Sequence, residues 1–178
     1  MIRIGAGSLA GRIIEQPKTF KTRPLTSKVR ASIFNRLGDI EGLTILDAYA
    51  GSGAFGIEAL SLGAKYVTFI EKSRQVSKVI TSNLETLNLT SQATVFTQDV
   101  ASAAKDTDNK FDVILADPPY AELDESDLNS IVNLLVNYGI FIVSHSSRKP
   151  SPQLENIDLI DARTYGDTTI SYYRGKIG

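Results

Sequence analysis

Apolar positions recur along the chain with two different periods, and the switch between them sets its organisation. From Leu43 onward, short runs of apolar and β-branched residues at 44–48, 66–71, 93–97, 111–116 and 139–144 alternate with stretches of helical spacing. That spacing is clearest in Val76, Val79, Ile80, Leu84 and Leu87, which follow Ser73 as an N-cap, and in Leu128, Ile131, Val132 and Leu135. Gly63 and Gly139 stand where a helix end favours a residue free to take positive φ. Strands alternating with helices predict βα units around a largely parallel sheet. Two further strand-like runs, 157–162 and 168–173, are joined by Tyr165-Gly166-Asp167, too short a link for a parallel crossover. They form a hairpin, one strand of which runs antiparallel to the others. The expected core is therefore α/β, a mostly parallel seven-stranded sheet with one antiparallel strand.

The first 38 residues read differently. Short β-like runs at 2–4 and 12–15, separated by glycines at 5, 7 and 11, suit a hairpin. A proline-bounded basic loop follows at 16–24, and Thr26 then caps a helix whose Val29, Ile33, Phe34 and Leu37 share a face. Lys28, Arg30 and Arg36 fall largely elsewhere on it and are expected to point outward. Charge sharpens this division. The net charge is only -1, yet residues 1–38 hold eight basic residues and a single acid, Glu15, while the remainder holds eleven bases and nineteen acids. A basic extension on an acidic body suggests that the first segment meets a polyanion; the plain alternative is a solvated basic face.

At 178 residues, 42% of them hydrophobic, the chain suits one domain, with 1–38 as a basic extension and 39–178 as the core. It has no cysteine, which excludes disulfides and thiolate zinc sites, and His145 is its one histidine, which excludes the usual imidazole metal sites and nucleophile triads. No metal is expected, and His145 reads as a structural residue. Tyr165, Tyr172 and Tyr173 read as sheet packing. The amino terminus has charges at Arg3 and Arg12 and no apolar stretch long enough for a signal peptide or membrane span, so a cytoplasmic protein without membrane contact is expected.

Chemistry must then come from carboxylates, backbone and a borrowed cofactor. The run Asp47-Ala48-Tyr49-Ala50-Gly51-Ser52-Gly53-Ala54-Phe55-Gly56 leaves a predicted strand and enters a helix, and its glycines allow a tight turn that a cofactor can approach closely. Gly51, Gly53 and Gly56 would equally suit a dinucleotide. Asp47, Glu71, Asp99 and Asp117 each end successive predicted strands, the edge where open α/β sheets bind ligands. Glu71 is placed to accept from ribose hydroxyls and Asp99 from an adenine amine, although an acid in such a position is often only a helix cap. Asp117-Pro118-Pro119-Tyr120 follows the fourth strand as a stiff corner rich in acceptors, since prolines fix φ and lack N–H groups. Asp117 and the Pro118 carbonyl could hold the two hydrogens of a base amine, with the extruded base stacked on Tyr120.

With these features in place the chain resembles the bacterial 16S ribosomal RNA guanine-N2 methyltransferases of the small single-domain type. The resemblance covers nearly the whole length. Its marks are Arg23-Pro24-Leu25-Thr26 leading to Val29-Arg30 and Ile33-Phe34-Asn35, the run from Leu46 to Ala54 with Gly56, Glu58, Ala59 and Leu60, the corner 117–120, and Tyr165-Gly166-Asp167-Thr168. Membership implies a Rossmann-like class I methyltransferase fold, S-adenosylmethionine as donor and a guanine of the small ribosomal subunit as acceptor. It implies that Asp47, Gly51, Gly53, Glu71 and Asp99, with Ala48, Ser52 and Val100 beside them, line the cofactor, and that residues 117–120 hold the base. Lys18, Lys21, Arg23, Thr26, Lys28 and Arg30 are the expected RNA contacts, the protein acting as a monomer on 16S rRNA within an assembling subunit. The chain departs from that family at Ser144, where a glutamate is expected before the His-Ser pair. An adenine-N6 DNA methyltransferase, a dinucleotide-dependent oxidoreductase and a non-catalytic RNA-binding module remain as alternatives.

Overall fold

In the computed structural model, residues 1–18 and 24–177 are described. Ile2 pairs with Ile14 in a short antiparallel hairpin of β1 (Ile2–Arg3) and β2 (Ile13–Ile14), and α1 (Ser27–Leu37) follows, capped by the Thr26 hydroxyl accepting from Val29 N–H. The hairpin lies against the end of α2 (Ala54–Ser61), with β3 (Thr44–Ala48) between α1 and α2 in the chain. Ser8 N–H donates to the Ser61 carbonyl at 2.8 Å. Gly7, at φ +82°, allows this approach, since a β-carbon there would stand 2.0 Å from the Ser61 oxygen. Phe34 of α1 stacks on Phe55 of α2 at 4.7 Å, which fixes α1 to the body.

The chain continues through β4 (Tyr66–Ile70), α3 (Arg74–Thr86), β5 (Ala93–Phe96), α4 (Val100–Lys105), β6 (Phe111–Ala116), α5 (Glu125–Val132), β7 (Leu135–Ser146), β8 (Ile157–Tyr165) and β9 (Thr168–Gly175). The strands β3 to β9 form one seven-stranded sheet in the order β5-β4-β3-β6-β7-β9-β8, in which β9 is antiparallel to both its neighbours. Gly166, at φ +61°, makes the tight β8–β9 turn.

Alternation along each strand divides the core in two. Ile45, Phe69, Val113 and Leu115 face α1, α2 and α3, whereas Leu46, Ile70, Ile114 and Ala116 face α4 and α5. Because both faces are covered, the central strands are mostly apolar on both sides. No helix among the described residues is long and apolar enough to cross a membrane.

The last parallel strand differs from expectation. α5 stops at Val132, and Leu135, expected on that helix, instead opens β7, which extends to Ser146. The β6–β7 register shifts between Phe111 and Val113, and Tyr138 takes φ 61°. Gly139 is thus no helix terminator. It lies inside β7, where a β-carbon would meet Leu135 Cδ1 at 2.8 Å and the Asp112 carbonyl oxygen at 3.0 Å, so close packing selects it. Gly63, at φ +99°, does hold the expected post-helical conformation.

Candidate active site

Register places the site. Ala48 lies opposite both Ile70 and Ala116, so β3, β4 and β6 end at one level, while β7, with Val143 opposite Ala116, runs three residues past it to Ser146. The first loop to leave there is the glycine turn, after β3. Tyr49, Gly51 and Gly53 all have positive φ, which curls the backbone between β3 and α2. Ala50 N–H donates to the Ile70 carbonyl at 2.9 Å, tying the turn to β4. Gly56 sits against the sheet with room for nothing larger, as a β-carbon would fall 2.3 Å from the Phe69 ring.

Two of the strand-end acids brace this turn. Asp47 is 2% exposed and accepts from Gly56 N–H at 3.0 Å. Glu71 accepts from Gly51 N–H at 3.0 Å with one oxygen and from Ser73 N–H at 2.9 Å with the other. Loss of water pushes the Asp47 carboxyl well above the ordinary range, the Gly56 bond draws it back, and the charges on Asp117 and Glu71 push it up further. Three carboxyls thus stand close enough at this edge to act on one another. Asp99 is exposed and caps α4, bonded to Ser102 through N–H at 2.8 Å and hydroxyl at 2.9 Å, which hold its carboxyl below the usual range. Its neighbour Val100 is buried.

The proline corner closes on the same point. Asp117 N–H donates to the Ala48 carbonyl at 3.4 Å, joining the exit of β6 to the last residue of β3 at the root of the glycine turn. Asp117 is half-buried, and loss of water raises its carboxyl to about 7, with the nearby Ser144 hydroxyl drawing it down. Pro118 is buried, and Tyr120 opens a short 3-10 turn. The Tyr120 hydroxyl is fixed at both sides, by Thr168 Oγ1 at 2.6 Å and Ser144 Oγ at 3.2 Å, so its ring is held at one attitude. Ser144, on β7, is fully buried. His145 beside it bonds Ser171 Oγ at 2.7 Å and the Ser146 carbonyl at 3.0 Å, consistent with its structural reading.

The basic segment needs a correction. Arg30 does not point outward: it is 3% exposed, and its guanidinium pairs with Glu58 at 2.9 Å and donates to the carbonyls of Leu25 and Arg3 at 3.0 and 3.1 Å. Buried and held by these three partners, it is not available to a phosphate. Lys28 and Lys18 are exposed, as is the cap residue Thr26, whereas Lys21 and Arg23 lie outside the described residues. Arg36 is also engaged, pairing with Asp161 at 3.3 Å over the Tyr172 ring.

Three features escaped the sequence reading. Asn83, buried on α3, bonds both backbone groups of Glu15, at 2.8 and 3.0 Å, and the Ser52 carbonyl at 3.3 Å, so the basic loop starts beside the glycine turn. Its signal was an amide standing between Ile80 and Leu84 on an apolar face. Lys72 and Glu122, from the loops after β4 and β6, pair at 2.7 Å. Arg148 and Lys149 are exposed on the loop after β7, on a turn held by Ser147 N–H donating to the Asp167 carbonyl at 2.9 Å. Two hollows of about 240 and 290 Å³ lie elsewhere; neither is lined by the glycine turn or the corner.

Residues 2–174 match the family described as Conserved hypothetical protein 95. The chain belongs to that family. YlbH of Bacillus subtilis is 35% identical to it over 187 residues, an alignment covering 98% of this chain and 100% of that protein. Ribosomal RNA small subunit methyltransferase D of Haemophilus influenzae is 34% identical over 180 residues, covering 97% of this chain and 93% of its own length. Among solved structures, yhhF of Escherichia coli superposes with a TM-score of 0.89 at 30% identity, with 99% of each chain covered. The sheet order, the single antiparallel strand and the helices on both faces are those of the class I methyltransferases.

Proposed function

We propose that this protein is an S-adenosylmethionine-dependent methyltransferase that methylates the exocyclic N2 of a guanine in 16S ribosomal RNA. The observation that carries this is the tie between Asp117 and Ala48, which brings a stiff, acceptor-rich corner to the root of the glycine turn. The name of the Haemophilus influenzae relative supports an RNA substrate. Glu71, Asp99 and the backbone of residues 48–53 would hold the cofactor, and the grouped carboxyls of Asp47, Glu71 and Asp117 would face its cationic centre. When bound, S-adenosylmethionine supplies an electrophilic methyl group on a sulfonium.

The chain's own residues do the rest by positioning, which can contribute about 7 to 11 kcal/mol. A base amine is a poor nucleophile because its lone pair is conjugated with the ring. Asp117, ionised, and the Pro118 carbonyl accept its two hydrogens and turn the lone pair toward the donor. The fixed Tyr120 ring stacks on the base, and Asp117 or water takes the proton released after transfer. The exposed bases Lys18, Lys28, Arg148 and Lys149 are assigned to phosphates of the RNA; Lys21 and Arg23 belong to the same basic segment as the first two. The reading assigns the protein to the cytoplasm, as a monomer acting on 16S rRNA in an assembling small subunit, without a metal.

The test is to incubate the protein and S-adenosylmethionine with unmodified 16S rRNA, small-subunit precursor particles and duplex DNA, then map modified nucleotides by mass. N2-methylguanosine at one position of the RNA is expected. Methylation of DNA adenine alone would favour the rival methyltransferase, and tight nicotinamide-cofactor binding without methyl transfer would favour the oxidoreductase.

A further inference from the structure

We propose that Asn83 is a positioning residue that couples the two binding regions of this protein, so that a cofactor seated on the glycine turn tightens the hold of the basic segment on RNA. This rests on the methyltransferase reading above and gives a part to a buried amide which that reading leaves idle. Asn83 stands on α3 and is 3% exposed. Its side chain offers one acceptor oxygen and two donor hydrogens, and all of them are used. Oδ1 accepts from Glu15 N–H at 2.8 Å, while Nδ2 donates to the Glu15 carbonyl at 3.0 Å and to the Ser52 carbonyl at 3.3 Å.

The two partners belong to the two regions. Glu15 follows β2 and begins the run that carries Lys18, Lys21 and Arg23. By bonding both of its backbone groups, the amide does for Glu15 what a neighbouring strand would do. The other end of that run is held separately, through the Leu25 carbonyl on Arg30. Ser52 lies between Gly51 and Gly53, both at positive φ. The peptide joining Ser52 to Gly53 is pinned at its carbonyl by Asn83 and at its N–H by the Ala50 carbonyl at 2.9 Å. Flanking glycines let such a peptide rotate at small cost, so a single bond to Asn83 weighs on its orientation. α3 meets the turn at two further points. A β-carbon on Gly53 would stand 3.2 Å from Ile80 Cγ2, and Glu71 accepts from both Gly51 N–H and the N–H of the cap residue Ser73. A cofactor lying against residues 48–53 would narrow the orientations of the 52–53 peptide. The one that faces Asn83 is then favoured, and with it the placement of Glu15. Part of the cost of ordering the basic segment on RNA is thereby already met, and by reciprocity RNA raises cofactor affinity by the same factor.

The experiment titrates 16S rRNA into wild type, Asn83→Ala and Asn83→Asp, each with and without saturating S-adenosylhomocysteine, and follows amide exchange at Glu15 in the wild type. There S-adenosylhomocysteine should tighten RNA binding about fivefold and slow exchange of the Glu15 N–H by about as much. In Asn83→Ala the RNA affinities with and without S-adenosylhomocysteine should agree within about 1.5-fold. Asn83→Asp keeps an acceptor for Glu15 N–H but no donor for Ser52, and should lose the coupling as well. An amide that merely supports the fold would weaken both affinities in these variants and leave their ratio at the wild-type value, which overturns the proposal. Should neither variant melt cooperatively, the wild-type exchange measurement decides alone. Wild type that fails to bind S-adenosylhomocysteine or 16S rRNA overturns the proposed function and the coupling with it. Wild type that binds both, with each affinity indifferent to the other ligand or with Glu15 exchange unchanged, overturns the coupling alone.

Discussion

Asp117 is held in a state that costs the fold stability. Its carboxyl titrates near 7 in the folded chain, against an ordinary value of 3.8, because the corner desolvates it. Between those values the folded protein binds the proton more tightly than the unfolded chain, so stability contributed by this group falls as pH rises from about 4 to about 7. Asp117→Asn should therefore be more stable than wild type at pH 8, by on the order of 1 kcal/mol once partial exposure is allowed for, and lose this advantage at pH 4.5. Paired thermal melts at the two pH values check it. Arg30 illustrates the opposite case. Arg30→Met leaves Glu58 charged and buried and should cost about 3 to 5 kcal/mol, while a double change with Glu58→Leu recovers most of that. Strand-end acids were legible at this scale because an acid that closes an apolar run has one place to be. Arg30 was not, since a base on an amphipathic helix reads as outward until Glu58, 28 residues later, is known to pack against it.

At the scale of elements, spacing predicted the boundaries of β3 and β6 and the caps of α1 and α3, where the local pattern and the packing agree. It failed between α5 and β7, where Leu135 continues a helical pattern but pairs opposite Phe111 in the sheet. Tertiary pairing overrode periodicity there, and the strain appears at Tyr138, which is exposed and left-handed. Tyr138→Gly should stabilise the protein by about 1 kcal/mol in urea unfolding, since glycine takes that conformation freely. Gly56→Ala should do the reverse. Its new carbon would enter the fully buried Phe69 ring, costing about 1 to 3 kcal/mol and loosening the turn that residues 48–53 form. Cofactor affinity should fall with stability in that variant.

The whole molecule joins a basic rim to an acidic body, and both meet at one sheet edge. Asn83 fixes the start of the basic loop beside Ser52, and Arg148 and Lys149 are exposed on the loop that follows β7. RNA affinity should fall steeply with salt, and Lys28→Ala or Arg148→Ala should each reduce the slope of log K against log salt by about 0.7, as expected for one phosphate contact on a single strand. Arg30→Met should leave that slope unchanged. The asymmetry of charge was legible in the sequence; the exposed pair Arg148 and Lys149 was not, because two bases in an acidic half carry no signal of their own.

The central claim is that Asp117 holds the amine and not the cofactor, and one comparison bears on it most directly: single-turnover methyl transfer to 16S rRNA by Asp117→Ala, with S-adenosylmethionine affinity measured on the same preparation. The expected result is loss of transfer by at least about a hundredfold with cofactor affinity within a few fold of wild type. Transfer at the wild-type rate, or a loss fully matched by weakened cofactor binding, would contradict it.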